Sequence, residues 1–217
     1  MSIIRRRGKH KGDIYRLYKD FTPSERILVV GAGPSARILK DPRFPWRDYS
    51  VIACNSAILM LEPDVWMCFD MNSWRDSWWG EGGARFNLLG AKQIETAIGH
   101  QKYFPHDYYT FEHYHSLDLG HSKLDHGRLY GGGTITACAV QFAAGFEHIK
   151  EIHLTGCDFG NMLYHFYDER ETFPDLRGQL ANSQAQRMNY VLELCRDKGI
   201  EVAHYGKTLL RIKELGV

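Results

Sequence analysis

Short apolar runs, separated by polar or glycine-rich turns, recur along most of the chain. The runs are apolar throughout rather than alternating, which is typical of strands buried on both faces of a parallel sheet. The clearest runs predict strands at residues 26–30, 50–54, 64–69, 151–155 and 200–204. Two further extended stretches are predicted near residues 93–97 and at residues 108–114.

Helical segments are predicted between these strands. Residues 134–144 are apolar on nearly every side, which predicts a helix buried against the sheet. Residues 182–198 carry apolar side chains at helical spacing and are followed by Gly199, which predicts an amphipathic helix and its end. A short helix is predicted to begin at Pro34, where the missing N–H of proline is tolerated, and another to cover residues 57–61.

The alternation of strands and helices predicts an α/β fold. We expect a Rossmann-like three-layer sandwich with a mainly parallel sheet and a long loop or lid insertion. Residues 21–217 are predicted to form a single domain, in which residues 71–130 include lid-like loops rich in glycine, aromatic residues and histidine.

Charge is distributed unevenly along the chain. The formal net charge of the 217 residues is only +1, which disfavours a nucleic-acid-binding protein. Residues 1–20, however, contain seven Lys and Arg residues against two Asp residues. We expect these 20 residues to form a basic N-terminal arm that can be removed without unfolding the domain.

Cysteine usage and hydropathy indicate the compartment. The five cysteines are dispersed and form no CxxC motif, which is typical of reduced thiols buried in a cytoplasmic protein. The chain contains no run of 18 apolar residues, so no transmembrane helix is predicted.

The residues that are candidates for ligand binding follow the ends of the predicted strands. Four of the strands run into polar or glycine-rich turns, at residues 31–35, 55–56, 70–72 and 156–158. In open parallel sheets, ligands bind beyond the carboxyl ends of the strands. We therefore expect a ligand site at this edge. The sequence contains no nucleophile-elbow motif and no Walker lysine motif, which disfavours a serine hydrolase and a P-loop NTPase.

The turn at residues 31–36 matches the dinucleotide-binding fingerprint, with Ala at the third glycine position. Its glycines would let the backbone approach a phosphate, and a helix N-terminus favours negative charge. The alternative interpretation is a glycine turn needed only to redirect the chain. Asn55 follows the second strand, where NAD enzymes carry an acid, so an NAD-dependent oxidoreductase is the less favoured function.

Four segments together resemble a known superfamily: residues 31–35, 53–56, 131–146 and 151–159. They resemble the bacterial sialyltransferases that use CMP-sialic acid, and they are similar to the archaeal 6-hydroxymethylpterin diphosphokinase-like proteins and their phage relatives. The motifs do not separate these two branches, but both branches imply nucleotide binding.

The resemblance implies different features for each branch. The sialyltransferases carry Asn at the position of Asn55, but their catalytic His falls in a region, residues 178–183, that has no His here. The kinase-like proteins carry Asp at the position of Asp70, and their phage relatives place a His-rich acidic loop where residues 164–170 lie.

The predicted function is that of a nucleotide-dependent transferase, which performs sialyltransferase-like glycosyl transfer or pyrophosphoryl transfer to a pterin-like acceptor. A non-catalytic nucleotide- or pterin-binding module is the alternative. His165 is the candidate general acid or base, acting with Asp158, and Asp70 with Asp158 is a candidate Mg²⁺ site. The candidate nucleotide-binding residues are Gly31, Gly33, Pro34, Ser35, Asn55, Gly132, Gly133 and Thr134. The expected partner is a small-molecule nucleotide; the acceptor and a homo-oligomeric state are left open.

Overall fold

The computed structural model describes residues 8–68, 84–92, 94–95, 104, 106–114, 128–130, 134–159, 176–206, 208 and 210–216. Ten strands form one sheet within these residues. The strands are β1 (His10–Asp13), β2 (Arg26–Val30), β3 (Ser50–Cys54), β4 (Val65–Cys68), β5 (Phe86–Gly90), β6 (Tyr108–Tyr114), β7 (Arg128–Tyr130), β8 (Glu151–Thr155), β9 (Glu201–Tyr205) and β10 (Lys213–Leu215).

Helices cover both faces of the sheet. The α-helices are α1 (Ile14–Asp20), α2 (Ile135–Ala144) and α3 (Leu176–Asp197), and three 3-10 helices cover Pro34–Lys40, Trp46–Asp48 and Asn55–Leu59. Buried residues of α1, α2 and α3 pack in one hydrophobic cluster, whereas residues of the first and third 3-10 helices pack in a second cluster. Val29 belongs to the first cluster and Val30 to the second, because successive side chains of a strand point to opposite faces.

The strand order is β1-β6-β5-β4-β3-β2-β8-β9-β10, and β7 also pairs with β6. All of these pairs run parallel. The α/β Rossmann-like fold with a parallel sheet and three layers is therefore confirmed. Because the strands are parallel, all of their carboxyl ends lie at the same edge of the sheet.

Most predicted elements are confirmed. The strands at 26–30, 50–54 and 151–155 have the bounds that the apolar runs predict, and the buried helix at 134–144 is α2. The strand predicted at 108–114 is β6. The helix predicted at 182–198 begins earlier, at Leu176.

The strand predicted near residues 93–97 is wrong. Ile94 and Glu95 are helical, and the strand of this region is β5, in a stretch that the sequence indicated as loop. Asn87 interrupts the apolar run of β5 in the sequence. In the fold, its Nδ2 donates to the backbone oxygen of Asp107 at 2.9 Å, so its amide tolerates burial.

The segment expected to be a basic arm contributes to the sheet and to the core from residue 10 onwards. β1 pairs with β6, and the side chain of Asp13 caps α1 by accepting from the N–H of Arg16. Ile14 and Leu17 of α1 are 1% and 0% exposed. This part of the segment is therefore integral to the domain, because its apolar side chains complete the core beneath β6; residues 1–7 lie outside the described residues.

Two further sequence expectations can be compared with the fold. All five cysteines are buried and free, in agreement with reduced core thiols. Within the described residues, no helix is both long enough and apolar enough to cross a membrane.

Candidate functional site

The chain reverses its direction across the sheet at β2. From β2 the strands β3 to β6 follow one another towards one side, whereas β8, β9 and β10 follow one another towards the other side. β2 and β8 are therefore neighbours at a topological switch point, where open α/β sheets bind ligands beyond the carboxyl ends of their strands. The predicted glycine turn after β2 lies at this point.

The turn after β2, residues 31–35, is called the glycine loop below, and the turn after β8, residues 156–159, is called the β8 loop. The two loops continue the pairing of their strands. The N–H of Gly31 donates to the backbone oxygen of Thr155, and the N–H of Gly33 donates to that of Gly156, both at 2.8 Å. The loops are therefore joined by backbone hydrogen bonds beyond the ends of the strands.

Ser35 also joins the two loops. Its Oγ accepts a hydrogen bond from the N–H of Gly156 at 2.6 Å, and its backbone oxygen accepts one from Oγ1 of Thr155 at 3.0 Å. The hydroxyl that the sequence assigned to phosphate binding thus has an internal partner.

The glycines of both loops are required by their close approach. A Cβ on Gly31 would overlap the backbone oxygen of Gly156, and a Cβ on Gly33 would overlap Oδ2 of Asp158. Gly156 has a φ of +66°, and a Cβ there would overlap the backbone oxygen of Gly31. The close packing of the two loops is therefore sufficient to require glycine at positions 31 and 33.

Asp158 contacts the start of the 3-10 helix Pro34–Lys40, which begins within the glycine loop. Its carboxylate is nearly buried, and Oδ2 accepts from the N–H of Ser35 at 3.2 Å. Pro34 is the first residue of this helix, and Gly33 supplies no side-chain cap. Asp158 therefore caps the helix from the β8 loop, and its negative charge occupies the place that the sequence assigned to a phosphate.

Asn55 adopts a conformation that is rare for residues other than glycine. Its φ is +50°, and among the described residues only Phe159, in the β8 loop, shares a positive φ without being glycine. Each follows a strand that neighbours β2, so the two unusual conformations flank the switch point; asparagine tolerates this conformation, whereas it is costly for Phe159. Oδ1 of Asn55 is buried and has no hydrogen-bond partner in the described part of the chain.

Thr134 caps α2 at the same edge of the sheet. Its Oγ1 accepts from the N–H of Thr136 at 3.3 Å. Thr136 in turn hydrogen-bonds the thiols of Cys54 and Cys157, which lie at the ends of β3 and β8. The N-terminus of α2 therefore lies at the carboxyl edge of the sheet, beside the ends of β3 and β8.

The thiols beside α2 are structural. Burial raises the pKa of Cys54 well above its usual range, and burial raises the pKa of Cys157 to about 12. Both thiols are therefore protonated at neutral pH and are not nucleophiles.

The sequence interpretation missed the end of β9. His204 is fully buried there, and its Nδ1 lies 3.0 Å from the backbone oxygen of Gly206. Burial lowers the pKa of His204, although the nearby carboxylates of Asp158 and Glu214 oppose this shift. The sequence contains a signal for this site, because the strand predicted at 200–204 also ends in a polar residue, His204.

Several predicted site residues lie outside the described residues, namely Asp70, Gly132, Gly133 and His165. Within the residues that the structure describes, no group of three or more His, Cys, Asp or Glu side chains is arranged to hold a metal ion. The structure thus brings Gly31, Gly33, Pro34, Ser35, Asn55, Thr134 and Asp158 to one edge of the sheet.

Comparison with known proteins agrees with this architecture. No protein-family model matches the chain, and no curated protein matches it. Among solved structures, the MAf glycosyltransferase from Magnetospirillum magneticum AMB-1 is similar, with a TM-score of 0.57 and 15% sequence identity. The match covers 88% of this chain and 33% of that enzyme, so the chain spans about a third of its length. A likeness at this identity shows that the two proteins share a fold.

Proposed function

We propose that the chain is a nucleotide-dependent transferase that binds its donor at the carboxyl edge of β3, β2 and β8. The observation that carries the proposal is the buried, unpartnered Oδ1 of Asn55, next to the switch point. A buried acceptor without a partner destabilises a fold by about 1–3 kcal/mol. Such an atom is expected where a ligand supplies the missing donor.

The chemistry of Asn55 fits a nucleoside. An amide oxygen accepts a hydrogen bond from an exocyclic amine of a base or from a ribose hydroxyl. Asparagine also adopts the positive φ at the end of β3 more readily than other residues that carry a side chain, so this position favours an amide for a second reason.

Asp158 and the glycine loop define where the phosphate can lie. The carboxylate of Asp158 already accepts from the N–H of Ser35, so a phosphate at the same amide would be repelled. Two arrangements remain compatible with this charge: Mg²⁺ between Asp158 and the phosphate, with Asp70 as the second candidate ligand, or a ligand hydroxyl donating to Asp158. In either arrangement, the phosphate is bound by the N-terminus of α2, through Gly132, Gly133 and Thr134.

The proposed group transfer at this edge of the sheet breaks one bond and forms one bond. The bond between the transferred group and a phosphate oxygen of the donor breaks, and a bond to an acceptor hydroxyl oxygen forms. The nucleotide leaves with its phosphate, and the proton of the acceptor hydroxyl passes to a base, for which His165 is the candidate. Positioning of the donor and stabilisation of the leaving phosphate supply most of the catalysis.

Glycosyl transfer is the favoured reaction. The similar solved structure is that of a glycosyltransferase, and Asn55 stands where the resembling sialyltransferases carry Asn. Transfer of a pyrophosphoryl group to a pterin-like acceptor is the alternative within the same class. The internal hydrogen bonds of Ser35 favour a second candidate, a non-catalytic nucleotide-binding module, in which the loops only form a rigid platform.

Calorimetric titration tests the proposal directly. The wild-type protein is titrated with CMP, UDP and ATP, with and without Mg²⁺, and the variant Asn55→Ala with whichever nucleotide binds. We expect at least a tenfold loss of affinity in Asn55→Ala, equivalent to about 1.4 kcal/mol. Asn87→Ala is the matched control, because Asn87 is also buried but has a partner in Asp107. Absence of binding by the wild-type protein, or equal losses in both variants, would contradict the proposal.

A further inference from the structure

Two buried polar side chains stand near the carboxyl ends of the neighbouring strands β8 and β9: Asp158 follows β8, and His204 lies in β9. His204 is 0% exposed and Asp158 is 8% exposed. The carboxylate acts on the imidazole through space, without a direct hydrogen bond between them in the described residues.

The contacts of His204 fix its tautomer. A backbone oxygen only accepts, so Nδ1 of His204 carries the proton and donates it to Gly206 at 3.0 Å. Nε2 is then an unprotonated acceptor, and it is buried with no partner in the described part of the chain. Burial lowers the pKa of His204, so the ring is neutral at pH 7 although the hydrogen bond to Gly206 and the charges of Asp158 and Glu214 oppose this shift.

Gly206 lies between the imidazole of His204 and Ser35 of the glycine loop. A Cβ on Gly206 would lie 3.0 Å from Cβ of Ser35 and 3.9 Å from Cε1 of His204. Cε1 is the ring atom bonded to both nitrogens, so Gly206 separates this edge of the ring from Ser35. Thr208 links the segment after β9 to the β8 loop, because its Oγ1 donates to the backbone oxygen of Cys157 at 3.3 Å.

The charge and the hydrogen-bonding groups of Asp158 and His204 determine which class of ligand can bind to them. A carboxylate and a neutral imidazole nitrogen both accept hydrogen bonds, and neither offers a proton. A phosphate group has no donor for them at neutral pH and is repelled by the carboxylate. A group with neighbouring hydroxyls satisfies both acceptors and removes the destabilisation that an unpartnered buried Nε2 causes.

We propose that His204 and Asp158 form a hydroxyl-binding subsite for the sugar part of a nucleotide-linked donor. The inference rests on the proposed function and adds the chemical class of the transferred group. Asn55 lies three strand spacings from His204, roughly 14 Å across the sheet at about 4.8 Å per strand. A donor extended along the edge would therefore place its nucleoside at Asn55 and its sugar at His204.

Paired ligands separate the sugar from the nucleotide. CMP is compared with CMP-sialic acid, and UDP with UDP-glucose, by calorimetric titration; the free sugars and ribose identify which hydroxyls bind. The variant His204→Asn keeps an N–H for Gly206 but removes the acceptor at the Nε2 position. We expect the wild-type protein to bind one nucleotide sugar more tightly than its nucleotide, and His204→Asn to lose this advantage, about tenfold, without losing affinity for the nucleotide.

Two controls keep the result interpretable. His153→Asn alters another buried histidine, whose Nδ1 has a partner in the hydroxyl of Tyr49 at 2.8 Å, and it should leave the advantage of the nucleotide sugar intact. His204→Gln, which can restore an acceptor near the Nε2 position, should recover part of the lost affinity. If His204→Asn does not fold, the ¹⁵N shift of Nε2 in the wild-type protein serves instead: it should move with the nucleotide sugar and not with the nucleotide.

The outcomes distinguish the two proposals. If the wild-type protein binds neither nucleotides nor nucleotide sugars, the proposed function is wrong and this inference falls with it. If it binds nucleotides but gains nothing from the sugar, or if His204→Asn keeps the full advantage, or if Nε2 does not respond, only the sugar subsite is overturned.

Discussion

The N–H of Ser35 donates to the carboxylate of Asp158 across a separation of 123 residues in the chain. This contact joins the first 3-10 helix to the turn after β8, at the point where the strand order reverses. A carboxylate at a helix N-terminus stabilises the helix, and here it also sets the charge of the candidate site. The glycine loop therefore cannot be interpreted without the β8 loop.

Gly33→Ala should destabilise the fold. A Cβ at this position would overlap Oδ2 of Asp158 and lie 2.8 Å from the backbone oxygen of Gly156. Overpacking of this kind lowers the free energy of unfolding by about 1–3 kcal/mol. Urea unfolding measures the loss, and Gly216→Ala is the control, because a Cβ there meets nothing within 4 Å.

The sequence alone suggests a different outcome for a larger residue at Gly33. A larger residue at Gly33 would be expected to block a ligand and leave the fold intact if the glycine only faced a phosphate. An unchanged unfolding midpoint in Gly33→Ala would mean that the two loops can separate at no cost, which contradicts the packing described above.

Asp158→Asn should reduce metal-dependent binding or turnover more than stability. The amide of Asn retains an oxygen for the N–H of Ser35, while the negative charge is lost. Nucleotide affinity measured with and without Mg²⁺ distinguishes metal binding by the carboxylate from its repulsion of a phosphate. If Asp158 only repels a phosphate, the variant should bind the nucleotide more tightly without Mg²⁺, which would rule out a metal role.

Removal of residues 1–20 should destabilise the domain. The deletion removes β1 from the edge of β6 and takes Ile14 and Leu17 out of the core. Leu17→Ala alone should lower the free energy of unfolding by about 2–5 kcal/mol. Lys19→Ala, on an exposed position of the same helix, is the matched control, and equal unfolding curves for the two variants would contradict the packing of α1.

Stability should decrease as the pH falls from 7.5 to 5.5. Burial lowers the pKa of His153 and of His204 below the ordinary value of 6.5. Between these lowered values and 6.5, the unfolded chain binds protons that the folded chain excludes, so acid favours unfolding. Urea unfolding at the two pH values measures the change, and His153→Gln and His204→Gln should each reduce it. Equal or greater stability of the wild-type protein at pH 5.5 would contradict the neutral, buried state of both rings.

The strands and the edge of the site were predictable because continuous apolar runs carry a strong signal. β8 ends at Thr155, and the polar residues after it emerge at the edge where the sequence placed a ligand. α1 was missed because it offers only two buried positions, Ile14 and Leu17, among basic residues. β5 was missed because Asn87 interrupts its apolar run and finds its partner only in the folded chain.

The internal use of the glycine loop was not predictable from the sequence. Glycine indicates that a side chain is absent, but not which neighbour occupies the space; at Gly33 that neighbour is Asp158, far away in the chain. The unpartnered atoms of Asn55 and His204 are likewise properties of the packed structure. A sequence shows polar residues at strand ends, but it does not show which of their atoms lack a partner.

The central claim is that a nucleotide binds at the carboxyl edge of the sheet, beside the switch point between β2 and β8. Amide chemical-shift mapping of the ¹⁵N-labelled protein during titration with the nucleotide that binds most tightly tests it most directly. We predict that the largest shifts fall on the amides of Ser35, Asn55 and Gly156. Shifts confined to the amino-terminal edge, at Arg26 and Glu151, would contradict the claim.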